Sequence, residues 1–355
     1  MKLLKNSKFW LSLSIIYLGI ALSFTAYDLM GERIRSYEIG AVFGMVKDFV
    51  IPPKYPRLDK EEYDRRIYAL AHSVASSTAT TTSLWPVKTV YPKNGAILPF
   101  KRIIAYYGNF YSTGMGALGQ YPEDEMLARL QKEVDAWNLA DPETPAIPAI
   151  HYIAITAQEH PGDDGKYRAR MPSEEIDKAL SMAEKIDGIV ILDLQIGQST
   201  IEEELPLLEE YLKLPQVHLA IDPEFSMKNG RKPGIYVGTY DAKEINYCID
   251  YLSNLVKEND LPPKIFIIHR YIQEMVTNYK LIKTVPEVQV VMDMDGWGPK
   301  ENKLITYNKY IYKEPVQFTG FKLFYKNDLW KPSTAMMTPK EILELTPQPV
   351  YIQYQ

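Results

Sequence analysis

Three short apolar runs end in polar side chains two residues apart: Asp193 with Gln195, Asp222 with Glu224, and Asp293 with Asp295. In an extended strand residues i and i+2 share a face, so each pair projects together. An apolar strand ending in such a pair is costly unless the groups meet water, a cation or a substrate. Helix capping could explain one pair. Three pairs at the ends of three runs point to a common acidic mouth.

Two chemistries suit such a mouth. Glycoside hydrolysis needs one protonated carboxyl to donate to the leaving oxygen and one carboxylate as base or nucleophile. Clustered like charges raise one member's pKa and so supply the acid. Glu224 is the preferred acid, Asp193 and Asp293 are candidates for its partner, and Asp222 and Asp295 complete the carboxylate set. Polar residues at the other run ends form the expected substrate contacts: Tyr106, Tyr107, Asn109, His151, Gln195, His269, Arg270, Trp297, Lys322 and Gln353. Tyr107, Phe110, Tyr111, Phe225 and Trp297 are available as sugar platforms, although each side chain is of a type that also packs cores. Metal-assisted hydrolysis is the alternative, with His151, Asp193, Glu224, His269 and Asp293 converging from five strands. No local His-x-His or His-Glu-x-x-His signature supports it, so neither metal nor cofactor is assigned. A glycan-binding barrel without turnover is the third possibility.

Something must bring these ends together. Strand-like runs occur at 103–107, 147–152, 188–195, 217–222, 264–269, 288–293, 316–324 and 350–354. Helix-like runs lie between them at 122–138, 173–186, 200–214, 241–260, 273–284, 301–312 and 338–345. Thr338-Pro339-Lys340-Glu341 reads as a capping box with proline at the first helical position. Strict alternation implies parallel strands, and eight such units in about 255 residues imply a (β/α)8 TIM barrel. Its active site belongs at the C-terminal strand ends, where the polar residues cluster. The glycine-rich loop 108–119 lacks a phosphate-binding ending, so a lid or a close backbone approach is expected there, with a second lid at 226–240.

The remaining chain divides into 1–30, an N-terminal transmembrane helix acting as signal anchor, and 31–95, a partly low-complexity stalk or linker in which Tyr63–Leu70 could form a helix turn or two and pack on the barrel, before the barrel at 96–355. Lys2, Lys5 and Lys8 precede 19 uncharged residues at 9–27, about enough to span a bilayer core. Residues 73–83 are almost wholly Ser, Thr and Ala and cannot bury enough surface to fold alone. This organisation predicts a single-pass cell-membrane protein with an extracytoplasmic barrel, or a secreted one if the N-terminal segment is cleaved. The expected partners are a polysaccharide or glycan substrate and the membrane. Net charge is −5 and no basic stripe stands out, which argues against nucleic acid. Cys248 is the only cysteine, so no intrachain disulfide or cysteine-based zinc site can form; its apolar surroundings predict a buried thiol.

Tyr106-Tyr107-Gly108, Leu192-Asp193-Leu194-Gln195-Ile196-Gly197, Ile221-Asp222-Pro223-Glu224-Phe225, Met292-Asp293-Met294-Asp295-Gly296-Trp297-Gly298-Pro299 and Gly320-Phe321-Lys322-Leu323-Phe324-Tyr325 resemble an uncharacterised family of bacterial secreted or membrane-anchored barrel proteins. These in turn are similar to glycoside hydrolase barrels. The resemblance covers roughly Arg102 to Gln355 and implies fold and location rather than an activity. A lesser likeness is to lysozyme-type muramidase barrels, through Asp222-Pro223-Glu224 and Gln353-Tyr354. Those carry an aspartate on the first strand, where this chain has Tyr106-Tyr107-Gly108-Asn109, so peptidoglycan is implied only as one glycan among others.

Overall fold

Strand-forming runs rich in Ile, Val and Tyr build the centre of the molecule. The computed structural model describes residues 53–73, 83–228, 230–330 and 335–355. Residues 9–27, and with them the expected anchor, lie outside the described residues. Among the described residues no helix is long and apolar enough to cross a membrane.

The strands are β1 (Arg102–Gly108), β2 (Ala146–Ala157), β3 (Ile189–Leu194), β4 (Val217–Ile221), β5 (Lys264–Arg270), β6 (Val288–Met294), β7 (Phe318–Leu323) and β8 (Tyr351–Tyr354). Each pairs in parallel with the next, and β8 pairs with β1, so the sheet closes. This is the expected (β/α)8 barrel.

Strand periodicity sorts the side chains. Ile104, Ile150, Val190, Leu219, Phe266, Val290 and Ile352 face outward into the core beneath the helices. Ile103, Ala105, Ala149, Ile191, Ala220, Ile267 and Val291 fill the lower barrel interior. The same inward parity continues upward as Tyr107, His151, Asp193, Asp222, His269, Asp293, Lys322 and Gln353. The lower interior is therefore an apolar core and the upper interior a polar one.

The helices are α1 (Lys60–Leu70), α2 (Glu123–Ala140), α3 (Ser173–Lys185), α4 (Ala242–Glu258), α5 (Lys300–Thr306) and α6 (Pro339–Leu343). The capping box at Thr338 forms as expected, and Cys248 is buried on α4. The run 200–214 breaks into Ile201–Glu204, Leu205–Leu208 and Glu209–Leu212, with Pro206 in the middle segment denying the helix a donor. The helix expected at 273–284 does not form. Val276–Thr277 is β-branched and pairs as a short strand with Tyr240–Asp241, and Asn278 turns the chain at φ 55°.

Residues from Tyr55 onward belong to one compact unit with the barrel. Part of the expected stalk is thus packed structure, and the folded unit starts well before residue 96. Tyr63 and Leu70 on α1, together with Leu98, join the cluster filling the lower barrel. The Gln289 side chain points down into this plug, accepting from Ile97 N and Leu98 N at 3.1 Å each.

Candidate active site

At the C-terminal end of the barrel lies a cavity of about 690 Å³. Of the expected site residues, Tyr107, Gln195, Asp222, Glu224, Asp295, Trp297 and Lys322 line it. They come from strands β1, β3, β4, β6 and β7 or from the loops directly above them.

The chain beyond β4 sets the position of Glu224. Pro223–Phe225 is a 3-10 turn capped by Asp222, whose Oδ1 accepts from Glu224 N at 3.1 Å. Glu224 therefore does not continue the strand face of Asp222, as alternation suggested; it reaches the same cavity from the turn. Gly238 N donates to Glu224 O at 2.7 Å. A Cβ on Gly238 would come within 2.5 Å of Pro223 O and Ser226 O, so only glycine lets the two segments approach this closely. The expected second lid is in part this clamp on the turn.

The carboxyls experience different surroundings. Burial, reinforced by the Asp295 charge, raises the pKa of Glu224, against a hydrogen bond from Tyr271 and the attraction of Lys322. Burial also pushes Asp222 well above the usual carboxylate range, with Glu224, Asp193 and Asp295 adding to it against His269. Asp295 instead has a counterion, with Lys322 Nζ 2.8 Å from its Oδ1. Burial disfavours charge on Lys322, yet Asp295, Asp222 and Asp293 outweigh it and raise its pKa. Lys322 Nζ also lies 4.1 Å from the centroid of the Tyr107 ring. Tyr107 stays a neutral phenol, because burial and then Asp193, Asp222 and Asp295 oppose its ionisation; its hydroxyl accepts from Gln195 Nε2 at 3.0 Å.

Asp193 and Asp293 correct the sequence expectation. Both are wholly buried and neither lines the cavity. Asp293 Oδ2 lies 3.0 Å from His269 Nδ1, while Asp193 Oδ2 lies 3.6 Å from both His151 Nε2 and His269 Nε2. Burial lowers the His151 pKa to about 4 against the pull of Asp193. The five residues of the metal alternative do not all converge: His151, Asp193 and His269 have ligand atoms within 4.8 Å of one another, and Glu224 and Asp293 are outside that group. Gln353 sits at the same depth, buried, with Nε2 3.0 Å from His151 Nδ1.

Three further candidates are positioned away from the cavity. Tyr106 faces outward, its hydroxyl 2.9 Å from that of Tyr325. Asn109 Nδ2 donates to Ile153 O at 3.2 Å and anchors the loop after β1. Arg270 also faces outward, with NH1 2.6 Å from Glu314 and bonds to the carbonyls of Ile272, Gln273, Tyr310 and Val276. Tyr106 and Arg270 are each one residue out of inward register, whereas Asn109 keeps the parity of Tyr107 but lies past the end of β1, where its side chain is taken up by the loop. The glycine-rich loop makes its close approach to the chain itself: a Cβ on Gly116 would lie 2.2 Å from Tyr107 O.

Some cavity residues escaped the sequence reading. Tyr271, Tyr310, Asn302, Lys309 and Phe324 line the cavity. Tyr271 was discoverable, since it lies two residues beyond His269 on the inward parity of β5. Tyr310 and Asn302 come from the α5 region, where no strand period applies. Trp297 is 57% exposed at the rim, edge to face with Trp330 at 6.2 Å.

No family model matches this chain, and no curated protein matches it. Among solved structures, the chain is similar to the Bacillus subtilis mannanase man26, at 12% identity and TM-score 0.38, over 75% of this chain and 88% of that one. A hyperthermophilic endo-beta-1,4-glucanase in complex with substrate is similar at 13% identity and TM-score 0.39, over 72% and 89%. A Bacteroides ovatus GH5 xyloglucanase is similar at 12% identity and TM-score 0.34, over 79% and 78%.

Proposed function

We propose that this barrel hydrolyses a glycosidic bond, with Glu224 as general acid and Asp295 as the carboxylate that serves as base or nucleophile. The observation that carries this reading is the contrast between the two groups within one cavity. Glu224 is pushed toward its neutral form by burial and by Asp295, whereas Asp295 is held against the Lys322 ammonium at 2.8 Å. Two carboxyls whose environments differ in this way divide acid and base roles. Phe225, Tyr271, Tyr310 and Trp297 supply apolar faces along the same cavity, as sugar rings require.

Hydrolysis then runs on the chain's own groups. Glu224 gives its proton to the glycosidic oxygen as the bond to the anomeric carbon breaks. Asp295 either attacks that carbon or takes a proton from the attacking water. Asp222 orders the Glu224 turn through its backbone contact, and Tyr107 and Gln195 offer polar contacts beside it, with Gln195 Nε2 3.5 Å from Asp222 Oδ2. The substrate we propose is a glycan of the cell envelope or its exterior, on the basis of the charged flank and apolar run at the N-terminus, which would hold the barrel outside the cytoplasm.

The test is Glu224→Gln, assayed by release of reducing ends from a panel of envelope and plant glycans that the wild-type chain cleaves. Turnover should fall by at least about 10³-fold, with melting temperature and glycan affinity close to wild type. A variant that keeps more than about a tenth of wild-type turnover removes Glu224 from the acid role.

A further inference from the structure

Beneath the mouth, the barrel holds a second arrangement that hydrolysis does not use. His151, Asp193 and His269 are each fully buried. His151 Nε2, His269 Nε2 and both carboxylate oxygens of Asp193 have no hydrogen-bond partner. Stranding four polar atoms at one place in a barrel interior is costly, on the order of 1–3 kcal/mol for each group. They are also directed at one another: each Nε2 lies 3.6 Å from Asp193 Oδ2, beyond a good hydrogen bond. Around a tetrahedral ion with bonds of about 2.1 Å, ligand atoms lie roughly 3.4 Å apart.

The far sides of both imidazoles are held. His269 Nδ1 is 3.0 Å from Asp293 Oδ2, and His151 Nδ1 is 2.6 Å from Tyr351 Oη. Gln353 Nε2 also lies 3.0 Å from His151 Nδ1, so metal binding requires the Gln353 amide turned to present its otherwise unpartnered Oε1 there; with both Nδ1 atoms then protonated, the lone pairs of both rings sit on Nε2. A carboxylate or hydroxyl behind the ring is the arrangement that orients histidine ligands and raises their basicity. We propose that His151, Asp193 and His269 bind a divalent first-row transition-metal ion, with zinc fitting the two-nitrogen, one-carboxylate donor set.

The site is closed. Tyr107 lines the cavity and packs edge-on against both rings, at 5.0 Å from His151 and 6.0 Å from His269, while the three ligands have no exposed surface. Asp193 has a second unpartnered oxygen and can bind through both. The ion's role is therefore to tie β2, β3 and β5 together under the mouth and to hold Tyr107 in place. The inference does not rest on the glycosidase reading, although the two sites meet where His269 Nδ1 lies 3.5 Å from Asp295 Oδ2. The competing occupants are a proton on His269 and a buried water. A proton balances charge but gives neither Asp193 oxygen a donor within hydrogen-bond distance.

The experiment uses the full chain purified without a histidine tag. Elemental analysis of the isolated protein is followed by chelator stripping and titration with Co²⁺ and Zn²⁺. We expect about one ion per chain, visible Co²⁺ bands of tetrahedral type, and a melting temperature raised by at least about 5 °C at hundredfold excess over Kd. Asp193→Asn and His151→Gln should lose the bands, while Glu224→Gln should keep them. If the buried variants do not fold, imidazole ¹⁵N spectra of the wild type decide: both Nε2 resonances must shift when Zn²⁺ is added. Absence of stoichiometric metal, an unchanged protonated His269 on adding Zn²⁺, or Co²⁺ bands that survive Asp193→Asn would each overturn the proposal.

Discussion

Glu224 and Asp295 are carboxylates of one cavity, yet Lys322 contacts only one of them. That asymmetry fixes a pH dependence. Glu224 must be protonated to act, and its pKa is raised above the ordinary 4.5. Activity should therefore persist above the ordinary carboxyl range and fall as pH rises through the raised value. Lys322 lowers the Glu224 pKa by its charge, so Lys322→Met should move this basic limb upward while cutting kcat, on the order of 10²-fold, by stripping Asp295 of its counterion. A pH–rate profile of kcat/KM measures both, and a limb that stays fixed in the variant would separate Glu224 from the titration. The parity of the paired carboxylates was legible in the sequence, but their depth was not. Asp193 and Asp293 share the inward face of Gln195 and Asp295, and one step along the strand separates a cavity wall from a sealed interior. Alternation says which way a side chain points; only the closed barrel with Tyr107 above it says which of them meets a ligand.

Among the elements, strands were easier to read than helices, and the reason is physical. Each strand is an apolar, β-branched run buried on both faces, so its signal comes from its own residues. The segments outside the barrel depend on tertiary partners. The broken run 201–212 is an example. It contains Glu204, which has no exposed side chain and accepts from Arg168 Nε at 2.7 Å, Arg170 Nε at 2.8 Å and Ser199 Oγ at 2.6 Å. Arg168–Arg170 is a short antiparallel addition to the end of β2. Glu204 thus fastens the β2 extension to the β3–β4 connection, a contact between residues 34 or more apart that no local pattern reveals. Burial opposes its charge, but Arg170, Ser199 and Arg168 together lower its pKa below 4.5. Its stabilisation is therefore complete above the ordinary glutamate pKa and is lost as pH falls through the lowered value. Glu204→Ala, which leaves Arg168 only the more exposed Asp164 Oδ2, 2.7 Å from its NH2, as carboxylate partner, should cost about 2 kcal/mol in urea unfolding at pH 7. That difference should shrink as pH falls below the ordinary glutamate value of 4.5 and through the lowered one. A cost of under about 1 kcal/mol at neutral pH would mean that the cluster contributes no more than a surface ion pair.

At the scale of the molecule, a (β/α)8 barrel has two ends with different needs. The upper end keeps polar groups around a cavity. The lower end must cover the apolar interior lined by Ile103, Ile189 and Ile265. Composition marks the segment before β1 as a stalk through its Pro, Ser and Thr content, yet Tyr63–Leu70 reads as a helix turn or two able to pack on the barrel, and it does so. Tyr63 and Leu70 project from α1 into that lower cluster, and Leu98 follows from the segment entering β1. Backbone contacts fix α1 in place: Gln348 N donates to Leu70 O at 2.7 Å, and the His72 ring lies 3.0 Å from Leu345 O. Removal of the plug should therefore destabilise the whole barrel. A chain starting at Tyr55 keeps every contact internal to the compact unit and supplies the reference melting temperature. A chain starting at residue 96 loses α1 and uncovers the floor. Exposing two large side-chain sites' worth of apolar contact costs about 3–6 kcal/mol, enough to lower the melting temperature by roughly 10 °C for a domain of this size. The same comparison bears on cavity function, because the floor and mouth share the strands of one closed sheet. If the shorter chain melts with the longer one, α1 is only an ornament on the barrel, and the folded domain begins where the repeating βα pattern begins.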